Sequence, residues 1–173
     1  MWTLRAQMCS ARSVGLVNDV DIAHLRRCLE LAASARAGGN EPFGSVLVAA
    51  DGRVLAELEN TVGSGDVTGH PELALARWAS TNLTPDERRG ATMYTSCEHC
   101  AMCAGAHFWA GIGRLVFALS GAQLNAIVPP GGPTLELSTR EVFGRGNVPI
   151  AVEGPCAELA AEAVGVFDGF WTA

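Results

Sequence analysis

The sequence has little charge and contains no lysine. Only 17% of its 173 residues are charged, and all 12 of its basic residues are arginine. Because 18 acidic residues outnumber them, the formal net charge is -6 at pH 7. This balance excludes a surface that is basic overall, of the kind that holds the phosphate backbone of a nucleic acid.

Long hydrophobic runs are also missing. No stretch of 18 or more consecutive apolar residues occurs, so no membrane-spanning helix is predicted. The hydrophobic content of 49% nevertheless excludes a disordered chain. A length of 173 residues is typical of one ordinary domain with a substantial core.

The six cysteines are too few and too unevenly spaced for a secreted disulfide scaffold. Three of them fall within seven residues, and this cluster favours metal binding or redox chemistry in a reducing compartment, which predicts a cytoplasmic protein. The first 15 residues lack a continuous hydrophobic stretch and make a poor signal peptide. We expect residues 1–18 to be an N-terminal extension, either a disordered segment or a stretch before the true start, and residues 19–173 to be a single domain.

Hydrophobic periodicity and turn signals predict alternating helices and strands. Helices are predicted over residues 19–37, 70–82, 100–110 and 155–167. Strands are predicted over residues 44–50, 53–58, 91–96, 114–119 and 148–152, with a charged surface connection over 84–90 and irregular chain over 121–145. The strand–helix–strand unit over 91–119 has the length of a crossover, which implies parallel neighbours. The class is therefore α/β, with one mixed sheet and helices on both faces.

Two short motifs, 30 residues apart, carry the candidate chemistry. The first is His70-Pro71-Glu72, and the second is Cys100-Ala101-Met102-Cys103. Two thiolates and one imidazole nitrogen give three zinc ligands. Three protein ligands leave one position for water, as in catalytic rather than structural zinc sites. The ligand types alone are suggestive only.

The spacing of these residues supports a shared site. Cys100 and Cys103 are three residues apart, on one face of the first turn of a helix. His70 precedes a proline, so it is biased away from helical conformation and should cap the helix that Pro71 begins. Two helix starts would then converge on one metal, with Glu72 within reach of it.

The two motifs resemble those of the zinc-dependent nucleobase deaminases of the cytidine deaminase superfamily, whose signature is H-x-E followed by P-C-x-x-C. The segment over residues 94–112, YTSCEHCAMCAGAHFWAGI, is similar to the guanine deaminase and tRNA adenosine deaminase branch. Pro42-Phe43-Gly44 before the first strand and Asn60 after the second are also similar to that branch. The resemblance covers residues 19–119 well and the rest weakly. It implies a three-layer α-β-α fold around a mixed five-stranded sheet.

The resemblance also implies a role for each matched residue. His70, Cys100 and Cys103 would hold one Zn2+ with a bound water or hydroxide, and Glu72 would carry protons from that water to the ring nitrogen and the leaving amine. Asn60 would hydrogen-bond the base, and Phe43 and Trp109 would line its pocket. A C-terminal aromatic, Phe170 or Trp171, would close the site from the same chain or from a partner subunit. The family usually forms dimers, so a homodimer is expected.

Two residues depart from the family pattern. Pro71 stands where the family usually has alanine, and it removes a backbone N–H that could contact substrate or water. His99 replaces the proline before the first cysteine and is either a site residue that changes the polarity of the pocket or a loop residue. Cys97 is interpreted as a packed thiol and His107 as a core histidine. These changes leave the identity of the substrate open.

The leading hypothesis is therefore hydrolytic deamination of a nucleobase or a related small heterocycle, with guanine as the first choice. Adenosine deamination in tRNA is an alternative, weakened because an acidic chain without lysine is a poor partner for nucleic acid. Deamination of cytosine or cytidine is a further alternative. A non-catalytic zinc protein is a fourth, but a structural zinc site has no need of Glu72.

Overall fold

The structure is a computed structural model that describes residues 17–132 and 134–172. The expected N-terminal extension thus lies outside the described residues except for residues 17 and 18. Asn18 caps the first helix: its side chain accepts hydrogen bonds from the backbone N–H groups of Val20 and Asp21, and Asp21 reciprocates. This capping box explains why the helix begins at the predicted residue.

The described chain alternates helices and strands much as the sequence predicts. The helices are α1 (Asp19–Ala37), α2 (Pro71–Asn82), α3 (Pro85–Gly90), α4 (Ala101–Ala110), α5 (Gly121–Asn125), α6 (Thr139–Gly144) and α7 (Ala160–Phe167). The strands are β1 (Gly44–Val48), β2 (Val54–Glu59), β3 (Thr92–Cys97), β4 (Arg114–Leu119) and β5 (Ala151–Glu153). Short 3-10 helices lie at Val62–Ser64, Ala157–Leu159 and Phe170–Thr172. No helix in this part of the chain is long and apolar enough to cross a membrane.

The five strands form one mixed sheet in the order β2-β1-β3-β4-β5. β1 pairs antiparallel with both β2 and β3, while β3, β4 and β5 run parallel. The predicted crossover through α4 is thus confirmed. In the β1–β3 pair, Ser45 lies directly opposite Thr95.

Helices cover both faces of the sheet, which confirms the three-layer α-β-α architecture. Residues of α1 and α7 pack on one face in a core that includes Leu25, Val46 and Phe167. Residues of α2, α4 and α6 pack on the other face in a second core that includes Leu47, Leu75 and Phe117. The alternation of Val46 and Leu47 between the two cores follows from the two-residue period of a strand.

Two stretches, one predicted as a charged surface connection and the other as irregular chain, contain short helices. The connection at residues 84–90 holds α3, and the stretch at 121–145 holds α5 and α6. All three begin with a capping box, in which a Ser or Thr side chain and a Glu or Gln three residues later each bind the other's backbone N–H. The prediction of irregular chain was wrong where α5 and α6 lie, and the helix within the surface connection was not predicted, because these helices have only one or two turns and no apolar periodicity.

Close contacts fix α1 against both ends of the strands: Gly44 lies at the end that carries the site residues, and Arg114 lies at the opposite end. Gly44 begins β1 so near to α1 that a Cβ atom would lie 2.5 Å from the carbonyl oxygen of Cys28. Arg114 on β4 donates hydrogen bonds to the carboxylates of Asp21 on α1 and Glu153 on β5. These contacts set the position of β1 and β3, whose ends carry site residues.

Candidate active site

The first metal-ligand candidate stands just outside the start of α2. His70 is the N-cap residue, with the extended backbone angles φ -82° and ψ 131°, and Pro71 is the first residue of the helix. The proline excludes His70 from the helix, as the sequence predicts. Its Nδ1 atom lies 3.7 Å from the Sγ of Cys100 and 3.5 Å from the Sγ of Cys103.

The other two candidates lie at the start of α4. Cys100 is the N-cap residue, and Cys103 occupies the first turn of the helix. One donor atom from each of His70, Cys100 and Cys103 lies within 4.8 Å of the other two, the only such group of three or more found in the described residues. One nitrogen and two sulfurs around a common point suit zinc, and three protein ligands leave one position open.

The pKa values of the three candidate ligands differ from one another when no metal is bound. A hydrogen bond from the Cys103 thiol lowers the pKa of Cys100 to about 4, with a further contribution from His70. The same hydrogen bond, together with burial, raises the pKa of Cys103. A hydrogen bond to Cys100 raises the pKa of His70. The cluster thus already holds one thiolate at neutral pH, and binding of zinc through Cys103 requires loss of its thiol proton.

This proton distribution predicts selective alkylation of the metal-free protein. At pH 7 iodoacetamide should modify Cys100 first, because its thiol is ionised and exposed. Cys28 and Cys97 should resist because both are buried and burial raises their pKa values. Zinc should protect Cys100. Peptide mass spectrometry after a timed reaction measures each rate, and equal labelling of Cys100 with and without zinc would contradict this assignment.

Glu72 lies beside the cluster but is not part of the group of three. Its side chain is buried, with Oε2 3.8 Å from the Sγ of Cys103 and Oε1 accepting a hydrogen bond from the Thr95 hydroxyl at 2.9 Å. Burial raises its pKa, partly offset by hydrogen bonds from its own backbone N–H and from Thr95. A buried carboxyl group with a raised pKa next to a metal site has the properties of a general acid and base.

A cavity of about 770 Å³ opens over His70, Glu72 and Cys100. Phe43 and Trp171 form an aromatic part of its wall, and their rings are 6.4 Å apart. Five acidic side chains contribute to the lining, and no arginine does so among the described residues. These acidic residues are Glu41, Glu72, Glu98, Glu136 and Glu141. The cavity thus favours neutral or cationic ligands over anionic ones.

The other substrate-contact candidates have different positions. Asn60 is fully buried and is not among the residues that line the cavity; its Oδ1 accepts a hydrogen bond from the Val62 N–H, and its Nδ2 has no partner among the described residues. Pro71 is buried and does not line the cavity. Trp109 does not line it either and is 86% exposed. The reason is helical geometry, because Cys103 and His107 face inward and Trp109 then points to solvent.

His99 lines the cavity and is also packed as a core residue. Its Nε2 lies 3.2 Å from Nδ1 of His107, and both rings are buried. Burial lowers the pKa of both, that of His107 to about 4, so both rings are neutral at pH 7. His99 Nδ1 has no partner among the described residues. His99 therefore places a neutral polar group where the family pattern has proline.

Glu98, two residues before Cys100, holds another part of the cavity wall in place. One carboxylate oxygen accepts a hydrogen bond from the N–H of Gly121 and the other from the N–H of Thr139, each at 3.0 Å. Thr139 also donates to the backbone carbonyl of His99. Residues 121–132 and 134–139 thus contribute a wall of the cavity whose two ends are bound to Glu98.

Three residues that support the site were not predicted from the sequence. Ser45, Thr95 and Glu98 follow no spacing rule for metal or acid–base sites. For Ser45 and Thr95, the available signal was a polar residue inside an otherwise apolar strand. Such a residue must find a buried partner, because an unpaired buried polar group is costly. The sequence does not show which partner that is.

Comparison with known proteins agrees with this geometry. Residues 18–119 match the model of the cytidine and deoxycytidylate deaminase zinc-binding region. The chain is 36% identical over 157 residues to a probable cytosine deaminase of Schizosaccharomyces pombe, covering 90% of this chain and 94% of that protein.

The chain belongs to the cytidine and deoxycytidylate deaminase family. Another relative in the deaminase superfamily is the guanine deaminase of Bacillus subtilis, 42% identical over 88 residues, which are 50% of this chain and 56% of that protein. A solved structure from a study of tRNA:A34 deaminases that edit the wobble position is similar at TM-score 0.62 and 30% identity. The match covers 84% of this chain and 99% of the chain in that structure. The region that matches the zinc-binding model contains His70, Cys100 and Cys103.

Proposed function

We propose that this deaminase hydrolyses the exocyclic amine of a free nucleobase or a related small heterocycle, with guanine as the first substrate to test. The observation that carries the proposal is the buried carboxylate of Glu72, which faces the zinc ligands at the end of a cavity without arginine. A purely structural zinc site needs neither the carboxylate nor the cavity.

The reaction is a hydrolysis in which a C–O bond forms and a C–N bond breaks. His70, Cys100 and Cys103 would hold a zinc ion, which would lower the pKa of the attacking water towards about 7. Glu72 takes the proton from the attacking water on Oε2, the oxygen that faces the ligands, and passes it to the ring nitrogen. A second transfer protonates the amino group, which leaves as ammonia.

Recognition of the base rests on groups with unused hydrogen-bonding capacity. Asn60 Nδ2 is a buried donor without a partner among the described residues, which suits a carbonyl or ring-nitrogen acceptor on the substrate. Phe43 and Trp171 offer aromatic faces to a planar ring. The role of Trp109 stays a prediction from the family resemblance.

The charge of the cavity favours a free base over a nucleotide or tRNA. A phosphate would meet Glu41, Glu136 and Glu141 and no arginine of the described lining. Cytosine is the second substrate to test, because the probable cytosine deaminase is similar over nearly the whole of both chains. A homodimer remains part of the proposal. The exposed apolar side chains of Met102 and Trp109 on α4 are suited to contact a second copy.

A screen for released ammonia tests the proposal. Zinc-loaded protein is incubated with guanine, cytosine and adenine, with their nucleosides and nucleoside monophosphates, with pterins and aminotriazines, and with a tRNA anticodon stem-loop. We expect a free base or small heterocycle to be turned over at least about tenfold more efficiently than its monophosphate, since each unfavourable charge contact costs about 1 kcal/mol or more. Turnover of the stem-loop alone would contradict the proposal.

A further inference from the structure

A chain of buried hydroxyl groups runs from β1 through β3 to Glu72. The Ser45 hydroxyl donates to Thr95 Oγ1 at 2.9 Å, and the Thr95 hydroxyl donates to Glu72 Oε1 at 2.9 Å. Ser45 and Thr95 are fully buried and Glu72 is 5% exposed. All three groups are therefore shielded from water that could replace these bonds.

The sheet register creates this chain. Ser45 and Thr95 are directly opposite each other in the antiparallel β1–β3 pair. The next pair on the same face is Leu47, two residues after Ser45, and Met93, two residues before Thr95. Both belong to the core under α2 and α4. The polar pair thus ends an apolar stripe at the point where Glu72 enters from the first turn of α2.

The number of protons fixes the direction of the two hydrogen bonds. An ionised carboxylate only accepts hydrogen bonds, and a hydroxyl group has one proton to donate. When Glu72 is ionised, the form that accepts a proton from water, Thr95 therefore donates its proton to Glu72 Oε1. Its oxygen is then free to accept the Ser45 proton. Ser45 thus holds the Thr95 hydroxyl in the rotamer that reaches the carboxylate.

The two oxygens of Glu72 consequently have different surroundings. Oε1 is bound to Thr95, whereas Oε2 faces Cys103 Sγ at 3.8 Å and no hydroxyl contacts it among the described residues. A carboxyl group whose Oε1 accepts the Thr95 hydrogen bond cannot rotate freely about its terminal torsion. Proton transfer requires a donor or acceptor held within hydrogen-bond reach of its partner.

We propose that Thr95 is a positioning residue for the proton transfer, which holds Glu72 by Oε1 so that Oε2 remains the transferring oxygen, and that Ser45 orients Thr95. This inference rests on the proposed deaminase function. It adds two residues that touch neither substrate nor metal.

The decisive variant is Thr95→Val, which keeps the shape of the side chain and removes the hydroxyl. With the substrate identified by the ammonia screen, kcat should fall about 10- to 100-fold, the usual effect of losing such a supporting hydrogen bond. KM and the zinc content should stay near the wild-type values, because Thr95 contacts neither group. Thr95→Ser retains the donor and should restore most of kcat, and Ser45→Ala should give an intermediate loss.

Ser96→Ala is the matched control. Ser96 is a fully buried neighbour on β3, and its hydroxyl accepts a hydrogen bond from the Gly44 N–H and does not contact Glu72. This variant should lose stability in thermal unfolding as Thr95→Val does, but keep kcat. If Ser96→Ala lowers kcat as much as Thr95→Val, the effect is general destabilisation and the proposal is wrong.

Infrared spectroscopy tests the same contact without turnover. Subtracting the spectrum of Glu72→Gln from that of the parent, with ¹³C-labelled glutamate, isolates the carboxylate bands of Glu72. Thr95→Val should shift them, Thr95→Ser should leave them in place, and Ser45→Ala should shift them less. The last variant decides the question if Thr95→Val does not fold. Unshifted bands in Ser45→Ala and Thr95→Val overturn the proposal, whereas a wild-type protein that deaminates nothing overturns only the proposed function.

Discussion

Glu72→Gln should leave zinc bound and lower ammonia release by at least about 10³-fold, within the range expected when an acid–base group is removed. Glutamine has nearly the same shape, and its amide can still accept the Thr95 hydrogen bond, so the fold should persist. It can neither take a proton from water nor deliver one to the ring. Steady-state ammonia release and zinc content by atomic emission, on the same preparation, measure the two effects.

A carboxylate far from the cavity provides the control for this change. Glu162→Gln alters a half-exposed residue of α7 that pairs with Arg26. It should leave both ammonia release and zinc content unchanged, because surface ion pairs contribute little. If Glu72→Gln retained full turnover, the acid–base role assigned to Glu72 would be wrong even if zinc were present.

Cys103→Ala should abolish zinc binding and, with it, turnover. Cys103 is fully buried and supplies one of only three donors, so its loss leaves a histidine and a partly exposed thiol. Zinc at about 1,000 times its dissociation constant stabilises a folded protein by about 4 kcal/mol. The wild-type free energy of unfolding should therefore fall by about that amount on chelation, whereas that of the variant should not respond to zinc.

Cys97→Ala serves as the control for the ligand variant. Cys97 is equally buried and lies three residues before Cys100, but it is not part of the three-residue cluster. Its replacement should cost some packing energy and leave the zinc content near one per chain. Denaturant titrations with and without a chelator separate the two variants. Loss of zinc in Cys97→Ala and retention in Cys103→Ala would contradict the ligand assignment.

The sequence predicted the parts of the fold that depend on local pattern. α1 and β4 have the predicted bounds, because Asn18 and Gly38 cap α1 and a continuous apolar run defines β4. The position of His70 outside α2 also followed from the proline after it. The metal cluster was predictable because each half of it is fixed by one helix start.

The rest of the site depends on contacts between residues far apart in the chain. The partner of Thr95 is set by the register of β1 against β3, which no local pattern specifies. The exposure of Trp109 follows from which face of α4 packs on the sheet, although this helix is apolar nearly all round. The stretch at 121–145 looked irregular because its helices are short and because Glu98, 23 residues before Gly121, binds it through contacts that no local pattern specifies.

The hydrogen bonds of the Glu98 carboxylate bear on which parts of the chain can change in sequence during evolution. Glu98 fixes both Gly121 and Thr139, so the chain between them starts and returns at one anchoring point. Leu124, Val128 and Leu137 within this stretch line the cavity, while the candidate zinc ligands and Glu72 lie at the starts of α2 and α4. Insertions or replacements inside the stretch can therefore reshape ligand selectivity as an interchangeable module, while the reaction centre keeps its geometry.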